Sequence, residues 1–349
     1  MPTIDADAHV LETPETWRYL ADREERFRPM VVSYRSGGAT HGIQGNVQEQ
    51  FWVIDDRLLP MQFNVGFDTT AEAREMRDIA ARLAHMDELE IDVQVLFPTL
   101  FLRPCTDKLE IELALARSYN RWLADIWKAG RGRLRWVAVP PLLSMDRVRD
   151  ELAFARDNGA CGIFMRGLEC ERRLSDPYFY PLYEIAQDLD LAVCLHSGNG
   201  SFTVHEFFRD DRSFMKFKLQ VVGACHALLM AGTPAMFPKV RWGFIEVSSQ
   251  WVPYMLNDVE KRFKMFGRPF SKSILADNRI YVGCETTDDL AYVVGCAGED
   301  QLVIGTDYGH ADQATEIEAL RRLRGASGLS DRVIDKILRD NPARLYDLH

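Results

Sequence analysis

Thr3-Ile4-Asp5-Ala6-Asp7-Ala8-His9-Val10 reads as a strand whose alternate residues share a face, so Asp7 and His9 point the same way and can chelate one metal ion. Two other apolar runs end in comparable donors. Leu191-Ala192-Val193-Cys194-Leu195-His196-Ser197-Gly198 reaches His196, and Leu302-Val303-Ile304-Gly305-Thr306-Asp307-Tyr308-Gly309-His310 reaches Asp307, with His310 following in the loop. A single aspartate at a strand end is ordinarily a turn or cap residue, so it is the recurrence of donors at three strand ends that points to a shared centre. Two carboxylates and two imidazoles suit Zn²⁺, Mn²⁺ or Fe²⁺ better than Ca²⁺ or Mg²⁺, which prefer an all-oxygen shell. The expectation is one divalent transition metal, Zn²⁺ or Mn²⁺, on Asp7, His9, His196 and Asp307.

Outward from these runs, short apolar or β-branched segments alternate with helical patterns, the signature of a parallel α/β sheet. Strands are predicted near 3–7, 93–98, 134–139, 162–166, 191–196, 240–246, 280–284 and 302–306, with helices that include Ala71 to Leu89, Leu109 to Lys128 and Ala314 to Arg324. Eight strands predict a (β/α)8 TIM barrel that takes up residues 1–349 as a single domain. Two insertions exceed a bare barrel. Residues 11–70, after strand one, read as a short helix and a small β excursion; Asn199 to Arg212, after strand five, carries Phe202, His205, Phe207 and Phe208. Insertions at the catalytic face shape the pocket, which makes Trp52 and Phe202 candidate walls for an aromatic substrate and His41 a further candidate. Arg57, and Arg166 at the end of strand four, are candidates to grip a carboxylate in a bidentate fork.

Composition narrows the partners. A chain of 349 residues, 47% of them hydrophobic, is long enough for a large core. Its net charge of −10 disfavours nonspecific adhesion to nucleic acid or anionic membranes. No stretch reads as the ~20 apolar residues of a membrane span. The seven cysteines are scattered with no C-x-x-C pair, which fits buried structural thiols in a reducing cytoplasm. The expected partner is a small-molecule substrate, and assembly into a homo-oligomer stays open.

Further motifs carry a family likeness: the helix end Arg82-Leu83-Ala84-His85 leading into Asp87-Glu88-Leu89-Glu90-Ile91-Asp92, the run Trp52 to Arg57, Phe237-Pro238-Lys239-Val240 before strand six, and Asn341-Pro342-Ala343-Arg344-Leu345-Tyr346. With the donor set and Gly305-Thr306-Asp307-Tyr308-Gly309-His310, they resemble the amidohydrolase superfamily, specifically the branch typified by aminocarboxymuconate-semialdehyde decarboxylase and γ-resorcylate decarboxylase. The resemblance covers nearly the whole chain. It implies a mononuclear metal enzyme without organic cofactor that decarboxylates a small aromatic or unsaturated carboxylic acid, with Asp307 both binding metal and exchanging a proton.

Two positions depart from the family pattern. The first pair is Asp7-x-His9, where the superfamily has His-x-His or Glu-x-His. The end of strand six, Phe244-Ile245-Glu246-Val247-Ser248-Ser249-Gln250-Trp251, sets Glu246 where the branch has the histidine of a His-x-Gly-Glu-like turn. Glu246 could serve as a base, as a partner to a ligand or as an additional ligand. It keeps open a second function, metal-dependent hydrolysis of a C–N, C–O or C–C bond with Asp307 or Glu246 as base.

Overall fold

Every side chain of β1 (Ile4–Val10) is buried, which is the surrounding of a central parallel strand covered on both faces. The computed structural model describes residues 2–348 apart from 36–47, 62, 63, 67, 212 and 327; His41 therefore lies outside the described residues. Seven more strands follow in chain order: β2 (Val93–Pro98), β3 (Leu134–Ala138), β4 (Ala160–Arg166), β5 (Ala192–His196), β6 (Trp242–Ile245), β7 (Ile280–Cys284) and β8 (Leu302–Ile304). Each strand pairs in parallel with its sequence neighbour in the series. The ring closes where Ala8 bridges Tyr308 and the amides of Thr306 and Asp307 both donate to the carbonyl of Asp7. This is a (β/α)8 barrel, and all eight predicted strands are present.

Closure demands a glycine. A Cβ on Gly305 would fall 2.3 Å from the Cβ of Asp7, so any larger residue there would drive β8 away from β1. Beneath the seam, Asp5 accepts from the backbone amide and hydroxyl of Thr306 at 2.9 and 2.6 Å and from Gln94 at 2.9 Å. Gln94 in turn accepts from the wholly buried Arg82 at 2.7 Å, and Arg82 stacks on Tyr308 with its guanidinium carbon 3.5 Å from the ring centre. The motif around Arg82 thus ties β1, β2 and β8 together from below.

The helices cover the outside. Leu109–Ala129 buries Ile111, Leu115, Trp122 and Ile126 among others, the face that a 3.6-residue period presents to the barrel. The helix expected over 71–89 is split into Ala71–Arg74 and Ile79–Glu88, because Met76 has a positive φ of 55° and Asp78 restarts the helix as N-cap, accepting from Ala81 N. The helix expected from Ala314 begins only at Ala319. The Asp312 carboxylate accepts from the amide of Ala314, a local turn that competes with helix formation. Phe214–Ala231 is long and apolar enough to cross a membrane by length and composition alone, contrary to the reading that no stretch approaches this. It buries Val221, Ala224, Cys225 and Leu228 within the fold.

Both insertions sit after the expected strands. The first forms two 3-10 turns, Pro14–Tyr19 and Asp22–Phe27, and an antiparallel sheet of Met30–Arg35, Gln48–Ile54 and Arg57–Pro60. The second forms the short helix Phe202–Phe207, capped by Ser201, whose hydroxyl accepts from Val204 N.

Candidate metal centre

Alternation along β1 sends Asp5, Asp7 and His9 into the barrel, and the strand ends bring three more donors to the same place. His196 is the last residue of β5. Glu246 and Asp307 lie just past β6 and β8 in the left-handed region, at φ 60° and 51°. That conformation costs about 1–3 kcal/mol for a residue with a side chain and is characteristic of functional sites. Ligand atoms of Asp7, His9, His196 and Glu246 all lie within 4.8 Å of one another; so do those of His9, Asp307 and His310, and of Glu246, Asp307 and Asp312.

The close distances define the centre. His196 Nε2 is 3.1 Å from His9 Nε2, 3.2 Å from Asp7 Oδ1 and 3.1 Å from Glu246 Oε2. His9 Nε2 is 3.5 Å from Asp7 Oδ1 and 3.4 Å from Asp307 Oδ1. The Nδ1 atoms of His9 and His196 face the carbonyls of Pro98 and Ser197 at 3.1 and 3.0 Å. Carbonyls only accept, so each Nδ1 carries the proton and each Nε2 turns a lone pair inward.

Burial, together with the neighbouring His310 and His196, holds His9 well below the usual imidazole range, which keeps it in that neutral form. Glu246 Oε2 and Asp307 Oδ1 are buried without an aligned hydrogen-bond donor. Two lone pairs and three carboxylates facing one another repel unless a cation lies among them. Donors on a tetrahedral ion stand about 3.3 Å apart for bonds of about 2.0–2.1 Å, so the spacing and the donor types fit such a group.

His310 fixes the rim. Thr99 donates its hydroxyl to the carbonyl of Val10, so His310 donates through Nε2 to Thr99 and turns Nδ1 to Asp307 Oδ1 at 2.8 Å. Burial opposes a charge on this ring, but Asp307 outweighs it and raises the His310 pKa. Asp307 itself is pushed up to about 6, chiefly by burial. Burial and the charge of Asp307 raise Glu246 well above the carboxylate range.

The other sequence candidates are placed differently. Arg57 stacks on Phe202, its guanidinium carbon 3.8 Å from the ring centre, so the two insertions meet at this pair. Trp52 does not line a pocket: it is 1% exposed and packs edge-on against Trp17 in the core. Arg166 is already committed. It pairs with Glu169 at 2.9 and 2.5 Å and donates to the carbonyls of Phe101 and Arg103, using four of its five N–H groups and leaving no fork for a substrate. Arg166→Ala would strand a buried carboxylate, and we expect it to cost about 3–5 kcal/mol in denaturant unfolding. The accompanying loss of activity should be equal for acid and ester substrates; a selective loss for the acid would restore the clamp.

Several contributors escaped the sequence reading. Asp5 lies in the quoted strand at the same spacing as Asp7, yet its partners come from β2 and β8. Asp312 approaches Glu246 and Asp307, and Thr315 donates to Asp307 Oδ2 at 2.6 Å. Buried Glu12 accepts from the amides of Thr99 and Leu100 and so holds the loop that carries the His310 partner.

A parallel barrel with imidazole and carboxylate donors converging at the C-terminal mouth defines a class of metal-dependent barrel enzymes. Residues 4–269 match the amidohydrolase family, and the chain belongs to that family. No curated protein matches the chain by sequence. Among solved structures, the chain is similar to an amidohydrolase of Mycobacterium avium subsp. paratuberculosis, with a TM-score of 0.79 at 19% identity over 99% of both chains. It is also similar to 2,6-dihydroxybenzoate decarboxylase of Rhizobium, with a TM-score of 0.67 at 18% identity over 100% of this chain and 99% of that one. A third is 5-carboxyvanillate decarboxylase of Novosphingobium aromaticivorans in complex with manganese and 4-hydroxy-3-methoxy-5-nitrobenzoic acid, with a TM-score of 0.65 at 19% identity over 78% and 81%. The superfamily is one of metal-dependent enzymes, and a divalent metal fits the donor cluster of this chain.

Proposed function

We propose that the chain is a non-oxidative decarboxylase of a small aromatic or unsaturated carboxylic acid, with Zn²⁺ or Mn²⁺ on Asp7, His9, His196 and Asp307. The observation that carries this reading is the inward convergence of two imidazole lone pairs and unpartnered carboxylate oxygens at the barrel mouth. The metal, when bound, supplies positive charge that orients substrate oxygens and stabilises negative charge as it develops. Asp307 is the proton carrier: burial raises its pKa to about 6, Thr315 donates to its Oδ2, and His310 Nδ1 lies 2.8 Å from its Oδ1. The bond from the substrate carbon to its carboxylate breaks, the electron pair stays on carbon and takes the proton from Asp307, and CO₂ leaves. Arg57, with its guanidinium carbon 3.8 Å from the Phe202 ring centre and its Nη2 3.4 Å from Asp107, is the remaining candidate to grip acidic substrate. All seven cysteines are free, which supports the cytoplasmic setting.

The test is CO₂ release across a panel of hydroxybenzoates and unsaturated acids, run beside amide and lactone hydrolysis. Arg57→Ala should raise KM for the acid more than for its ester. Hydrolysis without CO₂ release would overturn the reading.

One observation favours the hydrolase alternative. Glu246 replaces a histidine, and its Oε2 lies 3.1 Å from His196 Nε2 with no donor of its own, a position from which it could take a proton from water. In a hydrolase, Glu246→Gln should lower kcat by about 10²–10⁴ and remove the acidic limb of the pH–rate profile. In a decarboxylase that relies on Asp307 as the acid, activity should instead fall on the basic side, and Glu246→Gln should leave that limb in place.

A further inference from the structure

The loops after β2, β3 and β4 enclose a cavity of about 180 Å³ that is separate from the metal donors. Phe101, Leu142, Phe164 and Phe202 supply apolar walls, and Arg166 and Glu112 supply polar ones. It lies directly beside the centre. Phe164 packs toward His196 with ring centroids 6.3 Å apart, and Arg166 is the register partner of His196 across β4 and β5. We propose that this cavity is the second compartment of the substrate site and takes a neutral apolar group of about one ring, attached to the end that reacts at the centre. The inference rests on the proposed function, and it adds that the substrate carries an uncharged hydrophobic substituent remote from its reacting carbon.

Size and charge both support this occupant. A cavity of about 150 Å³ lined by apolar side chains accommodates benzene, so the volume here matches a single substituted ring. Among the described lining residues the one cation is Arg166, and Glu169 neutralises it in a two-point pair. The edge carries Asp107, which faces Arg57 at 3.4 Å, and Glu171, which accepts from Ser201. A carboxylate entering here would lose its water and meet acidic neighbours in exchange. Glu112 accepts from the amide of Leu143 at 2.7 Å, and burial lifts it to about 8, so near neutrality it is an acid that can donate a hydrogen bond to a phenol or ketone oxygen. Cys105 is likewise uncharged, its thiol pushed up to about 12 by burial.

The test is a ligand-observed NMR titration of the full chain with p-cresol, toluene and benzoate, with metal loaded and after chelation. Binding of p-cresol is expected to survive chelation unchanged, with chelated protein binding benzoate at least about tenfold more weakly. Leu143 is a half-buried wall residue. Leu143→Trp should weaken p-cresol by about tenfold or more, whereas Leu143→Ala should shift preference toward 4-propylphenol. Glu112→Leu should erase the advantage of p-cresol over toluene. Equal binding of benzoate and p-cresol to the chelated protein would overturn the inference. So would unchanged p-cresol affinity in a Leu143→Trp protein whose melting curve is normal. Because binding is read without turnover, p-cresol binding without CO₂ release from any acid overturns the proposed reaction alone, and CO₂ release without p-cresol binding overturns the cavity assignment alone.

Discussion

His196→Ala is expected to give a folded barrel that no longer retains a divalent metal and has lost turnover. His196 Nε2 is the hub of the centre, within 3.2 Å of His9, Asp7 and Glu246. Deleting it removes one neutral donor and leaves the carboxylates to repel one another across the gap. Loss of a partner one step outside a metal shell costs about 10–100-fold in affinity or activity, and loss of a direct donor should exceed that. Elemental analysis should find occupancy well below that of the wild type. The melting temperature offers a second readout, since a ligand present at 100 times its Kd stabilises the native state by about 2.7 kcal/mol. Added Zn²⁺ or Mn²⁺ should therefore raise the melting point of the wild type and leave that of the variant where it is. Full occupancy in a folded His196→Ala protein would remove this residue from the centre.

Asp307→Asn should weaken metal retention and, in protein reloaded with excess metal, should still reduce kcat by about 10²–10⁴. The substitution keeps the shape, and asparagine tolerates the left-handed backbone at φ 51°, so the loop after β8 should hold its course. What is lost is the exchangeable proton. The amide cannot deliver it to carbon, and the pairing with His310 is weakened at the same time. Steady-state kinetics on the substrate found by the panel measure the effect. A variant with wild-type kcat and an unchanged pH–rate profile would show that another group carries the proton.

The donors were legible because a strand buried on both faces writes itself as an apolar run, and a polar residue that interrupts or ends such a run is conspicuous. Asp7, His9, His196 and Asp307 stand out on that ground, and so did the eight strands. Side chains whose meaning depends on a distant partner did not. Trp52 reads as a pocket aromatic until Trp17 is found against it. Arg166 reads as a carboxylate clamp until the chain turns back through the paired segments Leu168–Glu169 and Arg172–Arg173 and sets Glu169 on its guanidinium. Asp5 differs from Asp7 by two residues in a strand, yet one accepts from Thr306 and Gln94 and the other faces the centre. The split of the helix expected over 71–89 rests on one left-handed residue, Met76, which carries no glycine or proline as a warning.

The β1–β8 seam also sets an order of events during synthesis. Asp5 and Thr306, which join across it, are 301 residues apart in the chain, and the hydroxyl of Tyr346 reaches back to the carbonyl of Ala6 at 2.7 Å. While the ribosome is still making the last strand, Asp7, His9 and His196 belong to an open sheet with no fourth wall, and Asp307 has yet to emerge. On the proposed ligand set, the site to hold an ion is incomplete until β8 and Asp307 have been made. Contacts of such long range also make for slow folding, because the cost of closing so long a loop comes before the seam contacts repay it.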